Sequence, residues 1–143
     1  MTEFEGQIKQ VFDAYKAAAL AKDVNAFVAL YDKDVHIFDM WGQWSYDGVH
    51  AWRGMVTEWF GSLGDEKVVV EFDNLQMTIA HDIAIAHVFV TYRGLSADGR
   101  ELRSMNNRLT LALRNRGGMW KIIHEHSSAP LDPQTTKAIF QRK

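Results

Sequence analysis

Helical periodicity runs through the first part of the chain and stops at Gly61-Ser-Leu-Gly-Asp65. From Val68 to Ser128 the sequence has strong strand character, broken at His81-Asp82, Ala97-Asp-Gly99 and Arg116-Gly-Gly118. Those breaks are turn chemistry, because Gly and Asp readily adopt the backbone conformations that tight hairpins require. A chain that places its helices first and sequential hairpins afterwards is predicted to lay those helices on one face of an antiparallel meander. That is an α+β architecture.

The helical part divides further. From Glu3 to about Ala21 the apolar residues Phe4, Ile8, Val11, Phe12, Tyr15, Ala18 and Ala19 follow the three-and-four spacing of an amphipathic helix. Asp23 is placed to cap a short second helix with Val24, Phe27, Val28 and Tyr31 inward. A period-two strand then sets Val35, Ile37 and Asp39 on one face and His36, Phe38 and Met40 on the other. Gly42 to Gly48 reads as a turn or small hairpin, and Trp52, Met55, Val56, Trp59, Phe60 and Leu63 return to helical spacing. In the meander, Val68, Val70 and Phe72 have one parity while Leu75, Met77 and Ile79 have the other, which predicts a β-bulge near Asp73-Asn74 and a bend in the sheet. The following strand is apolar on both faces, Ile83, Ile85 and Phe89 against Ala84, Ala86, Val88 and Val90. Three short helices cover one side of a sheet, so the Ala84 face is expected to remain open and to form a homodimer interface. The tail from Leu131 to Lys143 is expected to be a short ending with a helical turn after Pro133.

The length of 143 residues suits one domain spanning 1–143, and 47% hydrophobic with 24% charged residues is a globular balance. A net charge of -2 gives no general attraction to nucleic acid or to an anionic membrane. With no cysteine there are no disulfides, thiolate zinc sites or cysteine nucleophiles. Met1-Thr-Glu-Phe-Glu-Gly lacks a secretory pattern, and no apolar run is long enough to span a bilayer, so the expected location is cytoplasmic.

Helices, a strand, a helix and a bent four-stranded meander resemble the nuclear transport factor 2-like fold, a cystatin-like cone that includes SnoaL-like and ketosteroid-isomerase-like families. Asp23-Val-Asn-Ala-Phe-Val-Ala-Leu-Tyr31 followed by Asp34-Val-His-Ile-Phe-Asp39 resembles their helix-then-strand signature. Gly118-Met-Trp-Lys-Ile-Ile-His-Glu-His-Ser-Ser128-Ala-Pro130 is similar to SnoaL-like proteins and to the association domain of calcium/calmodulin-dependent kinase II. The resemblance runs from about Gln7 to Pro130. It implies a cone of N-terminal helices on a strongly bent antiparallel sheet enclosing a pocket. It also implies two functional classes: a cofactor-free isomerase, cyclase or dehydratase, or a noncatalytic ligand-binding or association domain. In ketosteroid isomerases a strand carboxylate moves the proton while a helix tyrosine and a protonated aspartate hold the oxyanion. Asp39 falls at the first position and Tyr15 at the second. The third falls on or near Leu109 in Asn107-Arg-Leu-Thr110, which supplies no carboxylic acid.

Candidate site residues follow from these readings. Asp39 shares the apolar stripe of Val35 and Ile37, where burial raises a carboxyl toward a useful base; the alternative is a turn cap at a strand end. Tyr15 lies on the buried helix stripe, where its hydroxyl either bonds a ligand or a neighbour. His124 and His126 share a strand face and read as a proton-transfer and ligand-contact pair or as structural histidines; two ligands do not make a metal site, so no metal is expected. His87 and Phe89, facing together with Ile85, are assigned to the pocket wall; the alternative for His87 is a bond to a neighbouring backbone. Trp41 and Trp44 in the glycine-rich turn are expected to cover a pocket mouth or an interface, while Trp59 packs at helical spacing and is counted with them among the ligand-binding residues. Met105 and Asn107 share a face with Leu109 and Leu111, making Asn107 a polar group in an apolar wall. The expected ligand is small, largely apolar and cyclic, and no cofactor is expected.

Overall fold

The computed structural model describes residues 2–143. Helix α1 (Glu3–Ala21) starts where Thr2 Oγ1 accepts the Glu5 amide at 3.2 Å, and its buried stripe is Ile8, Val11, Phe12, Tyr15, Ala18 and Ala19. It ends at Lys22, whose backbone is left-handed with φ 54°. The Lys22 ammonium fixes that exit by donating to the carbonyls of Gly64 at 2.7 Å and Glu66 at 2.9 Å. Helix α2 (Val24–Val28) is capped by Asp23, which accepts the Ala26 amide at 3.0 Å. Strand β1 (Tyr31–Phe38) and the two-residue β2 (Tyr46–Asp47) close the hairpin around Gly42 to Gly48, and α3 (Val49–Ser62) follows. The meander is β3 (Lys67–Ala80), β4 (Ile83–Leu95), β5 (Glu101–Arg116) and β6 (Met119–Ser128).

These strands form one sheet in the order β2-β1-β6-β5-β4-β3. The meander is antiparallel, but β1 joins β6 in parallel, with His36 opposite His124 and Phe38 opposite His126. That pairing carries the end of β1 to the end of β6, which decides where the site lies. A bulge in β3 separates Asp73 opposite Phe89 from Gln76 opposite His87, with Asn74 at φ 60°. The extra residue lets Phe72, Leu75, Met77 and Ile79 all pack against the core despite their opposite parity.

The covered face of β4 is the reverse of the sequence expectation. Ala84, Ala86, Val88 and Val90 are buried in the core with the α1 stripe, whereas Ile85 on the other face is 50% exposed. Alternation separates the two faces of a strand without saying which one meets the helices. Here the small side chains lie inward. The Ala84 face is therefore interior and offers no surface to a second copy. The tail keeps the expected single helical turn after Pro133: the Thr136 amide donates to the Asp132 carbonyl at 2.8 Å around residues 133–135, inside a loop closed by a Leu131–Ala138 bridge. Among the described residues no helix is long and apolar enough to cross a membrane.

Candidate functional site

Between the helices and the curved sheet lies a cavity of about 620 Å³, within the range of small-molecule sites. Tyr15 reaches it from α1, Trp52, Met55 and Trp59 from α3, Tyr92 from β4, and Met105, Asn107 and Leu109 from β5. Asp39, Trp41 and Gly42 border it from the chain just after β1, and Glu125 and Ser127 from β6.

Asp39 continues the inward parity of Val35 and Ile37 one step beyond β1. Because β1 runs parallel to β6, this step sets it beside Ser127, whose hydroxyl donates to Asp39 Oδ1 at 3.0 Å. The Met40 amide in turn donates to Ser127 Oγ at 3.2 Å. Burial raises the Asp39 carboxyl above its usual range, opposed by hydrogen bonds from Ser127 and from the Trp41 and Met40 amides.

Glu125 is a second carboxyl in the same cavity, only 3% exposed. Tyr31 donates to its Oε1 at 2.6 Å. Burial pushes the Glu125 carboxyl up to about 8, the Tyr31 hydrogen bond works against this, and the Asp39 charge adds to it. Glu125 thus holds its proton at pH 7. With Oε1 accepting from Tyr31, the proton sits on Oε2, which has no hydrogen-bond partner among the described residues. Asp39, with more hydrogen bonds that favour the charged form, is the group that ionises first.

Two further polar elements complete the wall. The Tyr15 and Tyr92 hydroxyls lie 2.9 Å apart, and burial raises both well above the ordinary phenol value. They remain neutral donors. Asn107 is 7% exposed; its amide nitrogen donates to Met40 Sδ at 3.5 Å, while its Oδ1 has no partner among the described residues. A buried amide oxygen left unpaired beside a cavity costs stability that a ligand donor would restore.

The structure therefore brings together Asp39, Tyr15, Trp41, Trp59, Met105 and Asn107, and excludes the rest of the expected set. Trp44 is 97% exposed at the tip of the β1–β2 loop, beyond the positive-φ turn at Gly42. His87 and Phe89 belong to the outer face of β4, where the Arg142 guanidinium lies 3.8 Å above the Phe89 ring. His124 and His126 are outside as well. A register shift places Leu113 opposite Ile122 but Ala112 opposite His124, so Ile123 is an extra residue that reverses the parity of β6. The reversal turns Glu125 and Ser127 inward and the two imidazoles outward, against Phe38. His124 Nδ1 donates to the His36 carbonyl at 2.7 Å. Among the described residues no group of three or more His, Asp or Glu could hold a metal ion.

Sequence reasoning missed Glu125, Ser127, Tyr31 and Tyr92 as site residues. The one signal was the doublet Ile122-Ile123, where two consecutive apolar residues interrupt alternation before Glu125.

The sequence profile of the SnoaL-like domain matches residues 8–132. An NTF2-like protein of unknown function from Pseudomonas putida KT2440 is 31% identical, over 100% of this chain and 98% of its own, with a TM-score of 0.87. A protein from Xanthomonas campestris described as a calcium/calmodulin dependent protein kinase II association domain is 18% identical, over 86% of this chain and 85% of its own, with a TM-score of 0.73. ActVI-ORFA from Streptomyces coelicolor is 10% identical, over 89% and 97%, with a TM-score of 0.79. At those lower identities the likeness is one of fold. No curated protein matches the chain.

Proposed function

Because the chain belongs to the SnoaL-like domain family and has its cone-shaped nuclear transport factor 2-like fold, we propose that its cavity binds an apolar, cyclic carbonyl compound and moves a proton on it without a cofactor. The observation that carries this reading is the placement of two carboxyls in one largely apolar cavity, Glu125 3% exposed and bonded by Tyr31, Asp39 bonded by Ser127; burial pushes Glu125 up to about 8, while the hydrogen bonds to Asp39 oppose its rise and set the two apart. Such separation assigns one group as acceptor and the other as donor. Asp39 removes the proton beside the carbonyl, and the C–H electron pair forms the enolate double bond as the carbonyl π pair moves to oxygen. That oxygen is held by the Glu125 Oε2 hydroxyl and by the Tyr15–Tyr92 pair. Asp39 then returns its proton to carbon and Glu125 keeps its own, so charge and atoms balance. Asn107 Oδ1 accepts from a second polar group of the ligand. Glu125 thus supplies, from β6, the carboxylic acid that Leu109 does not.

The alternative, a noncatalytic association domain, loses the surface first assigned to it, since the Ala84 face is core. Cyclohexenone in heavy water tests the enzymatic reading. Wild type should accelerate exchange of the protons beside the carbonyl, and Asp39→Asn should lose that acceleration. Equal exchange in the two proteins would overturn the assignment of Asp39 as base.

A further inference from the structure

We propose that the segment 139–142 positions Trp41 at the mouth of the cavity, so that Phe140, acting through Trp41, determines how large a ligand the cavity admits. Strand β6 ends at Ser128, opposite Arg108, and leaves the first half of β5 without a neighbour on that side. The chain returns to this edge after the loop closed by Leu131 and Ala138, where the Ile139 amide donates to the Pro130 carbonyl at 2.8 Å. It is then tied down over the next three residues. The Asn106 amide donates to the Phe140 carbonyl at 2.7 Å, Gln141 Nε2 to the Ser104 carbonyl at 2.9 Å, and the Arg142 amide to Asn106 Oδ1 at 2.7 Å. The Arg142 guanidinium covers the Phe89 ring and reaches Asp73 Oδ2 at 3.2 Å.

This anchoring presents the Phe140 ring to Trp41, stacked at 5.4 Å between centroids and 25° between planes. Phe140 is the one aromatic ring found against Trp41 among the described residues, and it does not itself border the cavity. Trp41 does border it, although it is 52% exposed on a loop that turns at Gly42. An indole on such a loop has several orientations open to it, and a stack of this kind biases them by roughly two- to tenfold. Phe140 is therefore a positioning residue. The anchors beneath it, Ser104 and Asn106, lie on the same strand as Met105 and Asn107 of the cavity wall, so the mouth and the wall share one support.

The inference rests on the reading of the cavity as a ligand site, and the test separates the two. The protein carries five tryptophans, so fluorotryptophan labelling gives fluorine NMR resonances that single Trp→Phe variants assign. The probes are phenol and hydroxypyrene, one ring and four fused rings with the same hydroxyl. In Phe140→Ala the Trp41 resonance should move or broaden while those of Trp52 and Trp59 stay in place. The affinity ratio of hydroxypyrene to phenol should rise about tenfold, and Phe140→Tyr should restore both. An unmoved Trp41 resonance, or equal changes for all tryptophans and both probes, would overturn the proposal. If wild type binds neither probe, the ligand-site reading fails, and the Trp41 resonance alone decides whether Phe140 positions it.

Discussion

Replacing Glu125 with Gln should flatten the alkaline side of the protein's stability curve. In the fold this carboxyl moves from its ordinary value of 4.5 to about 8. The folded state then keeps a proton that the unfolded chain has released. Stability is lost as pH rises from the unfolded value, and the loss is complete above the folded one. Integrated over the two values, the loss is about 1 kcal/mol at pH 5, about 3 kcal/mol at pH 7 and about 5 kcal/mol at pH 9. Gln cannot ionise, yet its Oε1 still accepts the Tyr31 hydroxyl and its shape is nearly the same. Wild type should therefore lose about 4 kcal/mol more than Glu125→Gln between pH 5 and pH 9, and other titrating groups cancel in the comparison. At roughly 3 °C per kcal/mol for a chain of this size, the melting curves should diverge by about 10 °C. Urea unfolding of both proteins at the two pH values measures the difference. Parallel pH dependences would refute the claim that burial keeps Glu125 neutral.

Asp39→Asn should fold normally, since the amide is nearly isosteric and carries no charge to bury, and should weaken any ligand that donates to this carboxylate by about 1.5–3 kcal/mol; calorimetric titration alongside a melting curve reads both. Wild-type exchange of cyclohexenone should follow a bell-shaped pH profile, falling in acid as Asp39 takes up a proton and in alkali near pH 8 as Glu125 loses one. Glu125→Gln, which keeps a hydrogen-bond donor, should lose the alkaline fall while retaining much of the rate. Trp44→Ala and His126→Ala should leave stability within about 0.5 kcal/mol and phenol binding unchanged, because both side chains face solvent.

The helices and the meander were legible because each rests on a local signal. The α1 stripe follows helical spacing, Asp23 caps α2, and the parity change at Asp73-Asn74 is a bulge in β3. The site was harder to read because its residues meet through pairings that are not local. Asp39 reaches Ser127 only because β1 lies parallel to β6, and alternation in either strand says nothing about that partnership. Counting by twos along β6 from Trp120 puts His124 in the pocket, and the extra residue at Ile123 is what moves Glu125 there instead. The faces of β4 were assigned in reverse for a related reason. Both are apolar, so alternation within β4 separates them without saying which one meets the helices, and in the fold the Ala84 and Ala86 side is the buried one. The resemblance to isomerases directed attention to Leu109 for a carboxylic acid; in the fold Leu109 pairs with Ser127, and the acid stands two residues away on that neighbouring strand.

The central claim is that one cavity holds an ionised and a protonated carboxyl together. NMR of isotope-labelled aspartate and glutamate side-chain carboxyl carbons, assigned with Asp39→Asn and Glu125→Gln and followed through a pH titration, observes both groups directly. The account predicts that at pH 7 the Asp39 signal lies at the carboxylate position and the Glu125 signal at the carboxylic-acid position, with Glu125 moving only near pH 8. Two carboxylate signals at pH 7, both titrating in the ordinary acidic range, would contradict it.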